Sequence, residues 1–325
     1  MSIRPVKSLV KSQPTLEGAG VRLRRAFGFG ETGSFDPFLL LDDFRGDRPA
    51  DYEAGFPWHP HRGIETITYV LAGTVDHGDS LGNKGTIGSG DVQWMTAGSG
   101  IIHQEMPHGN DRGQMHGFQL WANLPASLKM TAPRYQDVKA QDVPVVMEDD
   151  GTSVRVICGS LWGQTGPVDD VAAEPQYLDV FVPPGRRRSL PVATTRNAFA
   201  YVFEGSGRFA DASEPQPVRT DVIGGIEGYY ADNRSLIVFD SGDEVTVQAG
   251  EQGIRFLLVS GRPLEEPVAW YGPIVMNTRE ELEQAYAELH AGTFIRKGGV
   301  GRSATARTSV VARHPESACA AGWLR

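Results

Sequence analysis

The sequence is poor in cysteine. Cys158 and Cys319 are the two in 325 residues, so at most one disulfide can form, and neither a secreted disulfide framework nor a thiolate zinc site fits. No run of 18 apolar residues occurs, which argues against a membrane span, and the opening MSIRPVKSLVKSQPT holds no apolar leader core. The expectation is a cytoplasmic protein. Excess positive charge is missing too: 31 Lys and Arg against 40 Asp and Glu give a net charge of −9. A general nucleic-acid binder needs a basic surface to neutralise phosphates, so that class is set aside. Helical periodicity is nearly absent. One segment carries it: Asn277 and Thr278 supply a cap with acids behind it, and Leu282, Tyr286 and Leu289 recur at helical spacing before Gly292.

What the chain has instead is alternation on a period of two and many turn formers, 39 Gly and 21 Pro. Strands separated by turns every 8 to 12 residues predict an all-β sandwich or barrel. Ile64 to Leu71 is the strongest strand signal. Others are Gly90 to Thr96, His116 to Leu124, Ser153 to Cys158, Tyr177 to Val182, Asn197 to Glu204, Leu236 to Asp240, Glu244 to Gln248 and Arg255 to Val259. The halves also rhyme: Thr68 to Val75 resembles Ala200 to Gly207, and a Gly-Asp step follows each, Gly90-Asp91 and Gly242-Asp243. A small barrel written twice is the expected plan, with a boundary between Ala132 and Asp150. The expected units are residues 1–135, residues 145–295 and a basic, disordered tail at 296–325, which holds six Lys and Arg against Glu316 alone.

Four of the eight histidines fall in two clusters, Trp58-His59-Pro60-His61 and Ile101-Ile102-His103-Gln104-Glu105-Met106-Pro107-His108. Residues two apart on a strand share a face, so His59 pairs with His61 and His103 with Glu105. Two such pairs on facing strands make a four-ligand site for a divalent transition ion. Glu65, four residues past His61, competes with Glu105 for the carboxylate position. His77, His116, His290 and His314 are isolated, and His108 is expected beyond the strand. Arg22, Arg24, Arg25 and Lys84 read as scattered solvated charges.

At these residues a family resemblance becomes definite. The stretches Phe35-Asp36-Pro37-Phe38, Leu41 to Phe44, Phe56 to Tyr69, Gly90 to Pro107 and Gln119-Leu120-Trp121 look like the pirin family of bicupins. So do Pro263-Leu264, Glu266-Pro267-Val268, Tyr271-Gly272-Pro273 and Val275 to Thr278 in the second half. The likeness spans residues 3 to 295. It implies two double-stranded β-helix barrels with a short C-terminal helix. It also places an iron site, three histidines and one glutamate, on His59, His61, His103 and Glu105, which leaves Glu65 behind the ligands. The second half reproduces no ligand pair, so its barrel is expected without metal.

The resemblance further implies quercetinase-like chemistry, a flavonol cleaved with O2, with Glu105 as the base. The ion would be Fe(II), with Mn, Ni, Cu or Zn as alternatives. Phe56, Trp58, Met95, Met106, Phe118 and Trp121 are the candidate walls of an apolar substrate pocket. The alternative reading is an iron-dependent, redox-sensing regulator that binds a transcription factor or a metabolic enzyme. A monomer is expected in either case.

Overall fold

Where hydrophobic and polar residues alternate, a strand acquires two chemically different faces, and most of this chain folds that way. The computed structural model describes residues 2–210 and 228–296. Apart from Arg296, the expected basic tail lies outside the described residues. The first half contains β1 (Val6–Lys11), β2 (Gln13–Glu17), β3 (Val21–Phe27), the one-turn helix α1 (Thr32–Phe35), β4 (Phe38–Gly46), β5 (Phe56–His61), β6 (Ile64–Ala72), β7 (Thr74–Asp79), β8 (Lys84–Ile87), β9 (Val92–Thr96), β10 (Ile101–His108), β11 (Met115–Asn123) and β12 (Arg134–Val138). The second half adds β13 (Val145–Met147), β14 (Ser153–Cys158), β15 (Ser160–Leu161), β16 (Gln164–Thr165), β17 (Gln176–Val182), β18 (Arg187–Pro191), β19 (Asn197–Ala210), β20 (Gly228–Asp232), β21 (Ser235–Phe239), β22 (Glu244–Gly261), β23 (Ala269–Tyr271), β24 (Ile274–Met276) and the helix α2 (Arg279–His290). Thr278 caps that helix through a reciprocal capping box with Glu281, as the sequence pattern requires. No described helix is long and apolar enough to cross a membrane.

The first barrel sets a seven-stranded sheet, ordered β12-β9-β6-β11-β4-β3-β2, against a four-stranded sheet, β5-β10-β7-β8. The second is one nine-stranded sheet along β1-β21-β19-β22-β17-β14-β13. Its long strands β19 and β22 shift register at Val202/Glu204 and Gly205/Gly207, and their far ends pair with β20 and β18. The fold is therefore the all-β pair of cupin-type barrels with one short C-terminal helix. The chain crosses between them over residues 139–144, because β12 pairs β9 in the first sheet and β13 pairs β14 in the second.

Each half lends an end to the other. β1 joins β21 of the second sheet. The β23-β24 hairpin and α2 return to the first barrel, where Val275 packs with Leu39, Ile64, Met95 and Ile101. Two buried cations hold this return: Arg62 pairs with Glu288 and donates to the carbonyls of Ser99 and Phe294, and Lys129 donates to Gly63, Asn123 and Val275. Gly63, at φ +78°, makes the turn between β5 and β6, and a Cβ there would collide with the Val275 carbonyl.

The core has two main zones. Between the barrels lie Phe27, Phe35, Phe38, Ile67, Tyr69, Trp94, Phe118, Phe199, Tyr201 and Leu257. Inside the second barrel lie Leu178, Val180, Leu190, Ala200, Val245, Val247, Phe256 and Leu258. The expected repeat holds for the strand and its glycine turn, since β6 lies between β9 and β11 as β19 lies between β21 and β22. It fails for the second Gly-Asp step. Gly90 N–H donates to the Val70 carbonyl, and the matching donor to Val202 is Arg234, not Gly242. Both residues sit in the left-handed region, at φ +85° for Gly90 and +70° for Arg234. Gly242-Asp243 instead follows β21 and precedes β22.

Candidate metal centre

The strand β5 turns His59 and His61 inward and leaves Trp58 outward, 41% exposed. On β10 the same alternation buries His103 and Glu105. Register sets His59 opposite His103 and Glu105 beside Phe56. The ligating atoms of His59, His61 and His103 all lie within 4.8 Å of one another.

Hydrogen bonds fix the chemistry of two of these rings. His59 donates from Nδ1 to the Pro57 carbonyl at 2.9 Å, and His61 from Nδ1 to the Pro273 carbonyl at 3.1 Å. A carbonyl can only accept, so each Nδ1 carries the hydrogen and each neutral ring presents a lone pair at Nε2. Those two Nε2 atoms stand 3.0 Å apart. Burial draws the pKa of His59 down to about 4 and those of His61 and His103 well below the ordinary value, so at neutral pH no proton separates the lone pairs. Both ring nitrogens of His103 are buried with no hydrogen-bond partner among the described residues. Glu105 Oε2 lies 3.9 Å from His103 Nε2, and its Oε1 accepts from the Thr68 hydroxyl at 3.1 Å. Burial pushes the Glu105 pKa up to about 7, with Thr68 opposing. Facing lone pairs, an orphaned imidazole and a desolvated carboxylate are the donor set that a divalent cation satisfies.

Glu65 is not brought to this cluster. The strand does not run on past His61: the chain turns at Arg62-Gly63, and β6 belongs to the other sheet. Glu65 therefore shares the β6 face of Ile67 and Tyr69, and its Oε1 accepts from Thr96 at 2.7 Å. His108, expected off the strand, instead ends β10 opposite Thr74. The cations Arg22, Arg24 and Arg25 are committed to Asp51, the Ser12 carbonyl and Asp42 respectively.

A cavity of about 570 Å³ opens onto His59, His61 and Glu105. Of the six expected wall residues it takes Phe56 and Trp121. Phe118 faces the second barrel, because Gln119 and Trp121 hold the inward phase of β11. Met95 is buried with Ile64, Ala97, Ile101 and Val275 and does not line the cavity. Met106 occupies the face of β10 opposite His103 and Glu105, and Trp58 faces solvent. Sequence reasoning missed the polar wall, Arg25, Asp42, Thr68 and Gln119, and the aromatic one supplied from the far end of the chain, Trp270 to Pro273. Trp270 packs on Trp121 and on Phe29, with ring centroids at 6.0 and 5.4 Å. Phase counting along β11 from Trp121 would have found Gln119. Nothing local announces the crossing of Trp270.

Fold and site together define a bicupin with a metal-ligand cluster inside its N-terminal barrel. The Pirin family model matches residues 20–122, and the Pirin C-terminal cupin domain matches residues 177–295. The chain belongs to the pirin family. It is 46% identical over 295 residues to a pirin-like protein of Caulobacter vibrioides, covering 90% of this chain and 100% of that one. It is 38% identical to human pirin over 314 residues, covering 95% and 99%. Among solved structures, a quercetin 2,3-dioxygenase from Acinetobacter baumannii superposes with a TM-score of 0.78 at 30% identity, covering 90% of this chain and 99% of that one. A bacterial pirin from Escherichia coli, solved in complex with nickel(II), shares the fold at a TM-score of 0.59 and 20% identity, over 79% and 99%.

Proposed function

We propose that this chain is a metal-dependent dioxygenase that cleaves flavonols such as quercetin with O2, using one divalent transition ion, Fe(II) in the first instance, held by His59, His61, His103 and Glu105. The observation that carries the reading is the pair of Nε2 lone pairs 3.0 Å apart at one end of an aromatic-walled cavity. The structural likeness to a quercetin 2,3-dioxygenase supports the choice of substrate. When bound, the ion supplies Lewis acidity toward oxygen ligands.

The chain's own residues do the remaining work. Glu105, buried beside the histidines and lining the cavity, is placed to accept the proton of a flavonol hydroxyl. Thr68 holds its Oε1 and so fixes the carboxylate's orientation. Pro273 fixes the tautomer of His61, and Phe56, Trp121 and Trp270 offer flat apolar surfaces that exclude water from the reacting ring. The second barrel, on this reading, serves as a metal-free partner, and the chain that follows it returns to supply the Trp270 to Pro273 wall.

The test is loss of flavonol absorbance when protein loaded with iron, manganese, nickel, copper or zinc meets quercetin and O2. We expect turnover with at least one ion and a fall of 100-fold or more in His61→Ala, the scale of losing an essential group. No turnover with any of the five overturns the assignment.

A further inference from the structure

Register lines up inward polar side chains across the large sheet of the first barrel. Gln93 stands opposite Thr68, Thr68 opposite Gln119, Gln119 opposite Asp42 and Asp42 opposite Arg25. The second barrel builds the same row from Ile237, Ala200, Leu258, Leu178 and Val156. A barrel of this shape therefore folds without the polar row. Burying Asp42 is costly by comparison: its pKa is pushed up to about 6 by burial although Arg25 binds both its oxygens. A costly feature that the frame does not require points to a ligand.

The metal end of the row, Thr68 and Glu105, belongs to the site above. The other end has no role in it. Arg25, Asp42, Gln119 and Glu17 all line the cavity. Asp42 stands two strands from Thr68, about 10 Å at the usual inter-strand spacing. The Arg25 guanidinium is taken up by Asp42 at 2.8 and 2.9 Å and by Glu17 at 2.9 Å. Two carboxylates against one cation leave this end with net negative charge and several unused acceptor lone pairs. The Gln119 amide oxygen lies 2.9 Å from the Thr68 hydroxyl, whose one hydrogen it shares with Glu105.

We infer that Glu17, Arg25, Asp42 and Gln119 form a recognition subsite for a hydroxyl-bearing ring of the substrate, along the cavity wall that runs from Thr68 away from the metal ligands. The inference rests on the flavonol reading of the metal centre and specifies which flavonols the cavity prefers. Phenolic hydroxyls donate to the spare carboxylate lone pairs, whereas a carboxylated or sulfated ring meets like charge.

The experiment follows binding, not turnover. Metal-loaded protein under nitrogen is titrated with three flavonols whose outer ring is a catechol, an unsubstituted phenyl or a benzoate, and quenching of Trp121 and Trp270 reports occupancy. The wild type should bind the catechol form about tenfold more tightly than the phenyl form, and the benzoate most weakly. In the double variant Glu17→Gln, Asp42→Asn, Arg25 remains as an uncompensated cation. The catechol preference should shrink to about twofold and the benzoate should become the tightest ligand. Glu17→Gln alone, at a side chain 25% exposed, should move partway in the same direction and decides the matter if the double variant does not fold. An unchanged order of the three ligands in the variants overturns this inference and leaves the metal-centre reading standing. No quenching by any flavonol in the wild type overturns both.

Discussion

Where the first barrel carries His59, His103 and Glu105, the second carries Leu190, Val245 and Val247. The equivalence follows from register. His59 faces His103 across β5 and β10, and Leu190 faces Val245 across β18 and β22. Glu105 faces His77 on β7, and Val247 faces Phe209 on β19. The outer faces of the two barrels agree far better than the interiors. Tyr69 of the first donates to Asp179 of the second, and Tyr201 of the second donates to Asp43 of the first, at 2.7 and 3.0 Å. The frame is thus specified by what each barrel turns toward the other. The interior is free to be hydrocarbon, as in the second, or a set of desolvated polar groups, as in the first. A fold alone therefore says little about chemistry, and the apolar barrel serves as an internal control for the polar one.

The largest expected effect comes from writing the second barrel's residue into the first. His103→Val should remove bound metal and lower turnover by 100-fold or more, checked by elemental analysis after dialysis. A chelator should lower the Tm of the wild type and leave that of His103→Val unchanged, because only the wild type gains stability from a ligand bound to the native state. The metal-free variant should be no less stable than metal-free wild type, since an unpartnered buried imidazole is replaced by hydrocarbon. Metal retained by His103→Val would break the comparison. A smaller effect is expected at the barrel interface. Asp179 is buried and bound by Arg255 and Tyr69, so Arg255→Ala leaves an uncompensated carboxylate and should cost about 3 kcal/mol in urea unfolding. Tyr69→Phe and Tyr201→Phe should each cost about 1 kcal/mol and add, because they belong to separate networks.

Much of this architecture was legible along the chain, and the failures have a common cause. Ser153 to Cys158 needed only its own alternation to be placed as a strand, and the helix after Thr278 needed only its cap. The clustering of His59, His61 and His103 was legible because these residues lie on strands whose phase is fixed by burial. Phe118 was assigned to the pocket by residue type, although its phase along β11 puts it with Phe199 and Tyr201 between the barrels. Glu65 was carried past a turn that no count of spacing registers. Trp270 and Pro273 reach the site from more than 140 residues beyond Trp121, a separation at which local pattern carries no signal. The phase of a strand can be read locally; which strands enclose one space cannot.

The smallest effect concerns a mismatch in the otherwise matched interface. Phe118 and Leu257 stand opposite the two interface tyrosines, and two residues before each comes a basic side chain beside the aspartate: His116 at Asp43, which Arg45 also pairs, and Arg255 at Asp179. One side of the interface therefore carries an imidazole that can gain or lose a proton, and the other a guanidinium that keeps its own. His116 Nε2 lies 3.3 Å from Asp43, while Arg45 and Arg255 repel its charged form. Burial outweighs the pull of Asp43 and lowers the His116 pKa below its ordinary 6.5. The unfolded chain then takes up this proton first as pH falls, so the contribution to stability is constant above about pH 7 and declines as pH drops through 6.5 toward the folded-state value. Asp43, held below the usual carboxylate range chiefly by His116 and Arg45 against its burial, stays ionised in both states across that window. Urea unfolding of wild type and His116→Gln from pH 8 to 5 should give a stability difference that is flat at the alkaline end and shifts against the wild type below about pH 6.5. The metal-site histidines contribute equally to both proteins and cancel. Parallel losses throughout would mean that His116 keeps one protonation state on folding, and the two sides of the interface would then be electrostatically alike.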